Sequence, residues 1–313
     1  MKKTKSVQKK VSVKKTSKKP ITKKEIKVKP EKNISLYFII ALILIFIFVQ
    51  AVGLFTASFY ASLQDLRIAL ITDNPDDVIN AIFIIFKILL FTGIILLIRK
   101  FSKKTGYLRF FEYMALFFGI VIVLDTIIPY IFALYLSVCF LCVKYILDKQ
   151  DVKGKKIIYW YNNILLGIAI AGAGAIIGLS LGIIPVLVFL ILLSIYDIIA
   201  VFYTKHMITL AKTFSKSRMA LIFYIPTKER VYQLGGGDLV IPLVVSSSFY
   251  FYLIQFLSLK CTLLSIFLVW FASLLGLFLT FYILKVRKLK AMPALPLQAL
   301  FMIIVIILII TFI

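Results

Sequence analysis

Two aspartates stand out because apolar sequence surrounds them. Asp197 follows Tyr196 inside the run 191–200, where Ser194 is the only other polar residue. The next basic residue, Lys205, is eight positions on. As helix, that spacing sets Asp197 ~12 Å inside an apolar layer. Asp238 closes Gly235-Gly236-Gly237-Asp238 and opens the next apolar run. Taken singly, each has an ordinary reading. Asp197 can be satisfied by backbone or tyrosine hydroxyls, and Asp238 can be a helix N-cap behind a glycine loop. Taken as a pair they do chemistry. Two carboxylates at close range do not both ionise easily and share a proton. The ionised one acts as general base on a water while the other donates a hydrogen bond to a carbonyl. Such hydrolysis uses no metal and no cofactor. Glycine ahead of Asp238 lets backbone approach closely and keeps the chain beside the site flexible.

The elements that must carry this pair are membrane helices. Of the 313 residues 62% are hydrophobic and only 16% charged, and mean hydropathy is +1.04. Soluble domains carry about 25% charged residues. This composition excludes a water-soluble domain, a disordered chain and a disulfide scaffold. The class is all-α and polytopic, since the runs lack the alternation of a barrel strand. Nine spans are expected near 34–58, 78–98, 110–127, 130–147, 157–177, 183–203, 237–257, 262–284 and 293–313. They divide as a Lys-rich tail (1–33), N-terminal helices one to four (34–156) and catalytic helices five to nine (157–313).

Charge sets the orientation. The net charge is +24, and residues 1–32 hold fourteen Lys against two Glu, or +12. This tail reads as a cytoplasmic anchor for anionic lipid and carries no aromatic residue to stack on bases. Basic loops follow the second, fourth, sixth and eighth spans, including Arg99 to Arg109, Lys149 to Lys156, Lys205 to Arg230 and Lys285 to Lys290. The loop after the first span is acidic (Asp65, Asp73, Asp76, Asp77). The positive-inside rule then puts the N-terminus in the cytoplasm and the C-terminus outside. The sixth and seventh spans are antiparallel, so both aspartates lie toward the cytoplasmic side.

Other ionisable groups draw plainer readings. Glu112 and Asp125 are interfacial, and Lys87 snorkels or pairs with a carboxylate. His206, the only histidine, lies in a basic loop and there is no HExxH for zinc. Cys139 and Cys142 form a single CxxC, read as small helix filler, and Cys261 completes an odd count. Gly178-Leu179-Ser180-Leu181-Gly182 fits GxSxG without the strand such an elbow needs. Glycines 174, 178 and 182 have helix-packing spacing. Near the last span, Pro293 fixes an extended segment that can line a cleft, although proline at a helix start is itself ordinary.

Tyr196-Asp197, Gly235-Gly236-Gly237-Asp238 and Pro293-Ala294-Leu295 resemble the YD, GxGD and PAL motifs of the presenilin and signal peptide peptidase intramembrane aspartyl proteases. They stand in the right order on the sixth, seventh and ninth spans. The stretches 160–167, 207–214 and 237–242 also resemble signal peptide peptidase. The detailed likeness covers 157–313, while the N-terminal half agrees in span count. A short chain rich in Lys and Ile resembles an archaeal member. The resemblance implies cleavage within transmembrane helical segments, with Asp197 and Asp238 catalytic. It implies substrate contacts from Tyr196, Gly235, Gly236, Gly237, Pro293, Ala294 and Leu295. It implies no metal or other cofactor, no obligatory partner subunit and no specific nucleic acid; the partners are transmembrane peptides and lipid. Residues 226–234 are expected to pair with unwound substrate by strand addition. N-in orientation resembles presenilins and the motif wording resembles signal peptide peptidase. The large loop between spans six and seven is missing, so autocleavage is not expected. The rival reading is a proton-coupled transporter or channel using the same aspartates as a relay. It has no visible repeat symmetry and no role for Pro293-Ala294-Leu295. A prepilin-type peptidase ranks third.

Overall fold

The computed structural model describes residues 36–63, 72, 74–101, 106–149, 156–204, 222–227, 231–287 and 292–313. The Lys-rich tail, Asp65, Asp73, His206, the stretch 207–214 and many loop lysines and arginines lie outside the described residues. Nine helices follow one another among the described residues: α1 Leu36–Ser62, α2 Val78–Phe101, α3 Gly106–Asp125, α4 Tyr130–Lys149, α5 Lys156–Leu179, α6 Ile183–Ile198, α7 Gly237–Leu253, α8 Leu259–Val286 and α9 Leu295–Thr311. A π turn, Ile199–Tyr203, extends α6. Between α6 and α7 in the chain lies an antiparallel hairpin, β1 Ile222–Pro226 and β2 Val231–Gly235. Where the sequence predicts one extended segment over 226–234, two strands pair, because Ile222 to Ile225 form a fully buried apolar strand of their own.

Six helices are long and apolar enough to cross a membrane by length and composition: α1, α2, α4, α5, α6 with its π turn, and α8. α7 and α9 are apolar but only 17 residues each. At 1.5 Å per residue they reach ~26 Å, short of a ~30 Å apolar layer.

Helix α5 packs against α1, α3 and α7. Small residues make this possible, since helices in lipid associate by close backbone approach. Gly119 of α3 and Gly172 of α5 meet across their main chains, leaving no room for a methyl group. A Cβ at Gly178 would lie 2.6 Å from the main-chain O of Val244 on α7, and one at Gly174 2.7 Å from the Leu243 side chain. Gly174 and Gly178 therefore serve helix packing, whereas Gly182 lies outside α5, capping α6 against Pro75 and Asp76. Ser180 donates to the main-chain O of Ile176 (2.8 Å) and is buried, so it forms no nucleophile elbow. Cys139, Cys142 and Cys261 are exposed on helix surfaces.

The remaining membrane charges are accounted for. Lys144 of α4 is fully buried, with Nζ 3.0 Å from Glu112 Oε1 and 2.7 Å from Asp148 Oδ2. Tyr113 donates to the same Asp148 oxygen at 3.3 Å. Glu112 is thus a buried ion-pair partner joining α3 to α4, where an interfacial residue was expected. Tyr60 donates to Asp125 Oδ2 (2.9 Å), tying the ends of α1 and α3. Lys87 is exposed on α2 with Nζ 4.2 Å above the Phe83 ring.

The buried triad generates a stability prediction. Lys144→Met removes the buried ammonium that Glu112 and Asp148 share, and should cost about 3–5 kcal/mol. Thermal unfolding in detergent should show a clear fall in melting temperature, partly recovered by adding Glu112→Gln. An unchanged melting temperature would refute the pairing.

Candidate active site

Helices α6 and α7 pack together and run antiparallel. Near one end Ser248 of α7 donates to the main-chain O of Leu181, just before α6 (2.8 Å). At the other end lie Asp197, near the C-terminus of α6, and Asp238, in the first turn of α7. They are close enough for the charge of Asp197 to act on Asp238. Both are half-buried. The π turn begins two residues after Asp197, and Thr204 N–H donates back to Ile199 O at 3.0 Å. Such wide turns interrupt regular helix and gather at functional sites. Tyr196 is half-buried and its hydroxyl bonds Thr92 of α2, which ties α6 to α2 beside Asp197.

The glycines before Asp238 are not a loose loop. Gly235 ends β2, Gly236 is the cap of α7 at φ −61°, ψ −29°, and Gly237 is the first helical residue. The main-chain O of Gly236 accepts N–H bonds from Leu239 (3.1 Å) and Val240 (3.0 Å). Asp238 is therefore inside the first turn of the helix and is not its N-cap. A Cβ at Gly235 would lie 3.5 Å from Asp238 Oδ2, and one at Gly237 would meet nothing within 4 Å. These positions leave open space beside the carboxylate.

The start of α9 completes the cluster. Pro293 and Leu295 are buried, Ala294 caps the helix and Pro296 sits in its first turn. The first-turn N–H groups of a helix have no intrahelical partner. That of Leu295 points at Asp197 Oδ2 (3.4 Å). One turn on, Gln298 is fully buried and its Nε2 donates to the main-chain O of Asp238 (3.3 Å). Gln298 belongs to none of the sequence motifs. Its signal was available: it is the one polar side chain in α9 before Thr311. Gly276 of α8 sets how near this turn can come. A Cβ there would lie 2.6 Å from Gln298 Cα and 2.8 Å from the Leu297 carbonyl carbon.

The hairpin leads straight into this cluster. Asn163 of α5 bonds Tyr224 of β1 twice: Nδ2 donates to Tyr224 O (2.8 Å), and Tyr224 N–H donates to Oδ1 (2.9 Å). One amide side chain thus stands in for a neighbouring strand. Tyr224 pairs in register with Gln233. With Tyr224 turned to Asn163, the ladder bonds run through Phe223 and Ile225, and Val231, Gln233 and Gly235 turn their main chain to the outer edge of β2. Phe38 of α1 stacks on Tyr232 with centroids 4.2 Å apart. Asp125 and Glu112 belong to the contacts described above and are not part of this cluster.

A family model described as "Signal-peptide peptidase, presenilin aspartyl protease" matches residues 40–230. The match includes Asp197, ends eight residues before Asp238, and extends the likeness through the N-terminal helices. Two solved structures, both of a presenilin family intramembrane aspartate protease, share the fold at 23% identity. One, in space group C222, has a TM-score of 0.62 and covers 88% of this chain and 99% of that one. The other, in space group P2, has a TM-score of 0.59 and covers 87% and 97%. No curated protein matches.

The close approach at Gly276 is testable. Gly276→Leu should displace the first turn of α9 and lower hydrolysis of a transmembrane peptide by about tenfold or more. Gly93→Leu, where a Cβ meets open space, should leave the rate unchanged. Equal rates for the two variants would exclude a role for the α8–α9 contact.

Proposed function

Because the chain belongs to the signal-peptide peptidase and presenilin aspartyl protease family, we propose that Asp197 and Asp238 are the pair that activates its catalytic water. The protein is a multi-pass membrane protein and an aspartic peptidase, and intramembrane proteases of this kind act on transmembrane helical substrates. One observation carries the assignment of the pair. The first turn of α9 reaches both residues, the Leu295 N–H at the Asp197 side chain and Gln298 at the Asp238 main chain. No other pair of membrane carboxylates among the described residues is served this way.

The chemistry follows from the shared proton. The ionised carboxylate removes a proton from water, and the hydroxide attacks the scissile carbonyl carbon. The protonated carboxylate hydrogen-bonds the carbonyl oxygen as charge develops there. Collapse of the tetrahedral intermediate breaks the C–N bond, and the amine leaves with a proton from the pair. Tyr196 holds α6 in place, Gly235 to Gly237 leave room for the substrate backbone, and Pro293, Ala294 and Leu295 form the opposite wall. No cofactor enters, and the chain works without an obligatory partner subunit.

Substrate, once unwound, adds as a strand to the outer edge of β2. Asn163 caps the far edge of β1 at Tyr224, so addition would take place at β2. Helices α1 to α4 scaffold the site that α5 to α9 build. The N-terminus is cytoplasmic and the C-terminus outside. In support, Lys149, Lys156, Lys285 and Arg287 stand at helix ends on the side of the pair, and Asp76, Asp77 and Asp125 at the other.

Purified protein in detergent, given a fluorogenic transmembrane peptide, should cleave it, and an aspartyl transition-state analogue should block cleavage. Asp197→Asn and Asp238→Asn should each reduce cleavage to background while melting like wild type. Full activity in either variant would remove that residue from the pair. The rate should pass through a maximum with pH, because one carboxylate must be ionised and one protonated. For strand addition, N-methylation of substrate backbone near the cleaved bond should slow cleavage at alternate positions and spare those between. A uniform effect would argue against it.

A further inference from the structure

We infer that Gln298 is a positioning residue for the catalytic pair: its side-chain amide supplies the hydrogen bond that Pro242 removes from the main chain of Asp238, and so locks the first turn of α9 onto α7. The inference rests on the assignment of Asp197 and Asp238 made above and adds what holds them in register.

In a helix the carbonyl of residue i accepts from the N–H of residue i+4. For Asp238 that residue is Pro242, inside α7 and buried. Proline has no N–H, and its ring crowds the carbonyl four residues back. The main-chain O of Asp238 therefore loses its intrahelical donor within an apolar layer, where no bulk water replaces it. Gln298 Nε2 lies 3.3 Å from that oxygen. The next carbonyl is served in the same way from the other side, where Gln50 of α1 donates Nε2 to Leu239 O at 2.9 Å. Both glutamines are fully buried, and Oε1 of each has no hydrogen-bond partner among the described residues. A half-satisfied amide in an apolar core is costly. It is retained where its donor meets a need, and for Gln298 the need is the Asp238 carbonyl that Pro242 leaves without its helical donor.

The geometry ties this bond to the chemistry. Leu295 and Gln298 are three residues apart and share one face of α9. One helical turn thus contacts Asp197 through a main-chain N–H and Asp238 through a side-chain amide. Losing the Gln298 bond removes the tie between the first turn of α9 and the main chain of Asp238, although α9 stays packed on α8 and α6.

The test is a double-mutant cycle on the full-length protein in detergent with the fluorogenic transmembrane peptide. Gln298→Met keeps length and apolar bulk but removes the donor. Its kcat should fall about tenfold with KM within about twofold and melting near wild type, since misplacement at the reacting groups acts on rate. Pro242→Ala restores an N–H at position 242. In that background Gln298→Met should cost less than about threefold, because the Asp238 carbonyl then has its own helical donor. Gln298→Asn, one methylene too short, should lose kcat as Gln298→Met does. It keeps the assay decisive if the methionine variant does not fold. An unchanged kcat in either Gln298 variant, or equal losses in both backgrounds, would overturn the inference. Asp238→Asn is run alongside. If it still cleaves, the assignment of the pair fails and takes this inference with it. If it is inactive while Gln298→Met is normal, only the positioning role fails.

Discussion

A polar group inside an apolar layer has no water to turn to, and this constraint governs every irregular feature around the two aspartates. A regular helix satisfies its own backbone and asks nothing of its neighbours. Near the pair the helices are not regular. The π turn follows Asp197, Pro242 interrupts α7 one turn after Asp238, and α9 begins with unpaired first-turn N–H groups. Each irregularity leaves a donor or acceptor that must be met by protein. The bonds from Leu295 to Asp197 and Gln298 to Asp238 meet two of them. The same need that satisfies the backbone assembles the site.

Much of this was legible in the residues. Asp197, Asp238 and Pro293-Ala294-Leu295 could be placed on the sixth, seventh and ninth helices because a charge or a proline in an apolar run is conspicuous, and nine runs of helical length could be counted. What stayed hidden depends on which faces meet. Lys144 looks like a loop-edge lysine until α4 turns it toward Glu112 of α3. Gln298 is one polar residue in an apolar helix, and only packing shows that it stands opposite a carbonyl that lacks its donor. The strand over 226–234 became a hairpin because the apolar stretch 222–225 is too short to signal a strand against so many apolar helices, and Asn163 supplies from α5 the second edge that β1 needs.

Short helices and small residues solve the remaining geometric problem. α7 and α9 are 17 residues each, shorter than a ~30 Å apolar layer needs, and each begins beside one of the aspartates. There the positive end of each helix dipole faces carboxylates, which favours negative charge close by. Bringing these two N-termini to the C-terminal end of α6 requires close backbones. Gly178 allows it between α5 and α7, and Gly276 between α8 and α9. Bulk at either place would separate the elements that carry the pair from those that hold them.

If substrate adds to β2 as proposed, the continuity of β2 with α7 would link binding to cleavage. Gly235 is the last residue of the strand, Gly236 the cap and Asp238 the second residue of the helix. A strand added to the outer edge of β2 therefore arrives beside the carboxylates without changing direction. The space left by Gly235 and Gly237 is where its backbone would pass. A helical substrate has no free main-chain groups to offer that edge, because they are used within the helix. Unwinding is then required for binding as well as for attack, and the exchange of intrahelical bonds for bonds to β2 offsets its cost. On this reading the hairpin selects substrates by how readily they unwind, and the pair cleaves what the hairpin has already straightened.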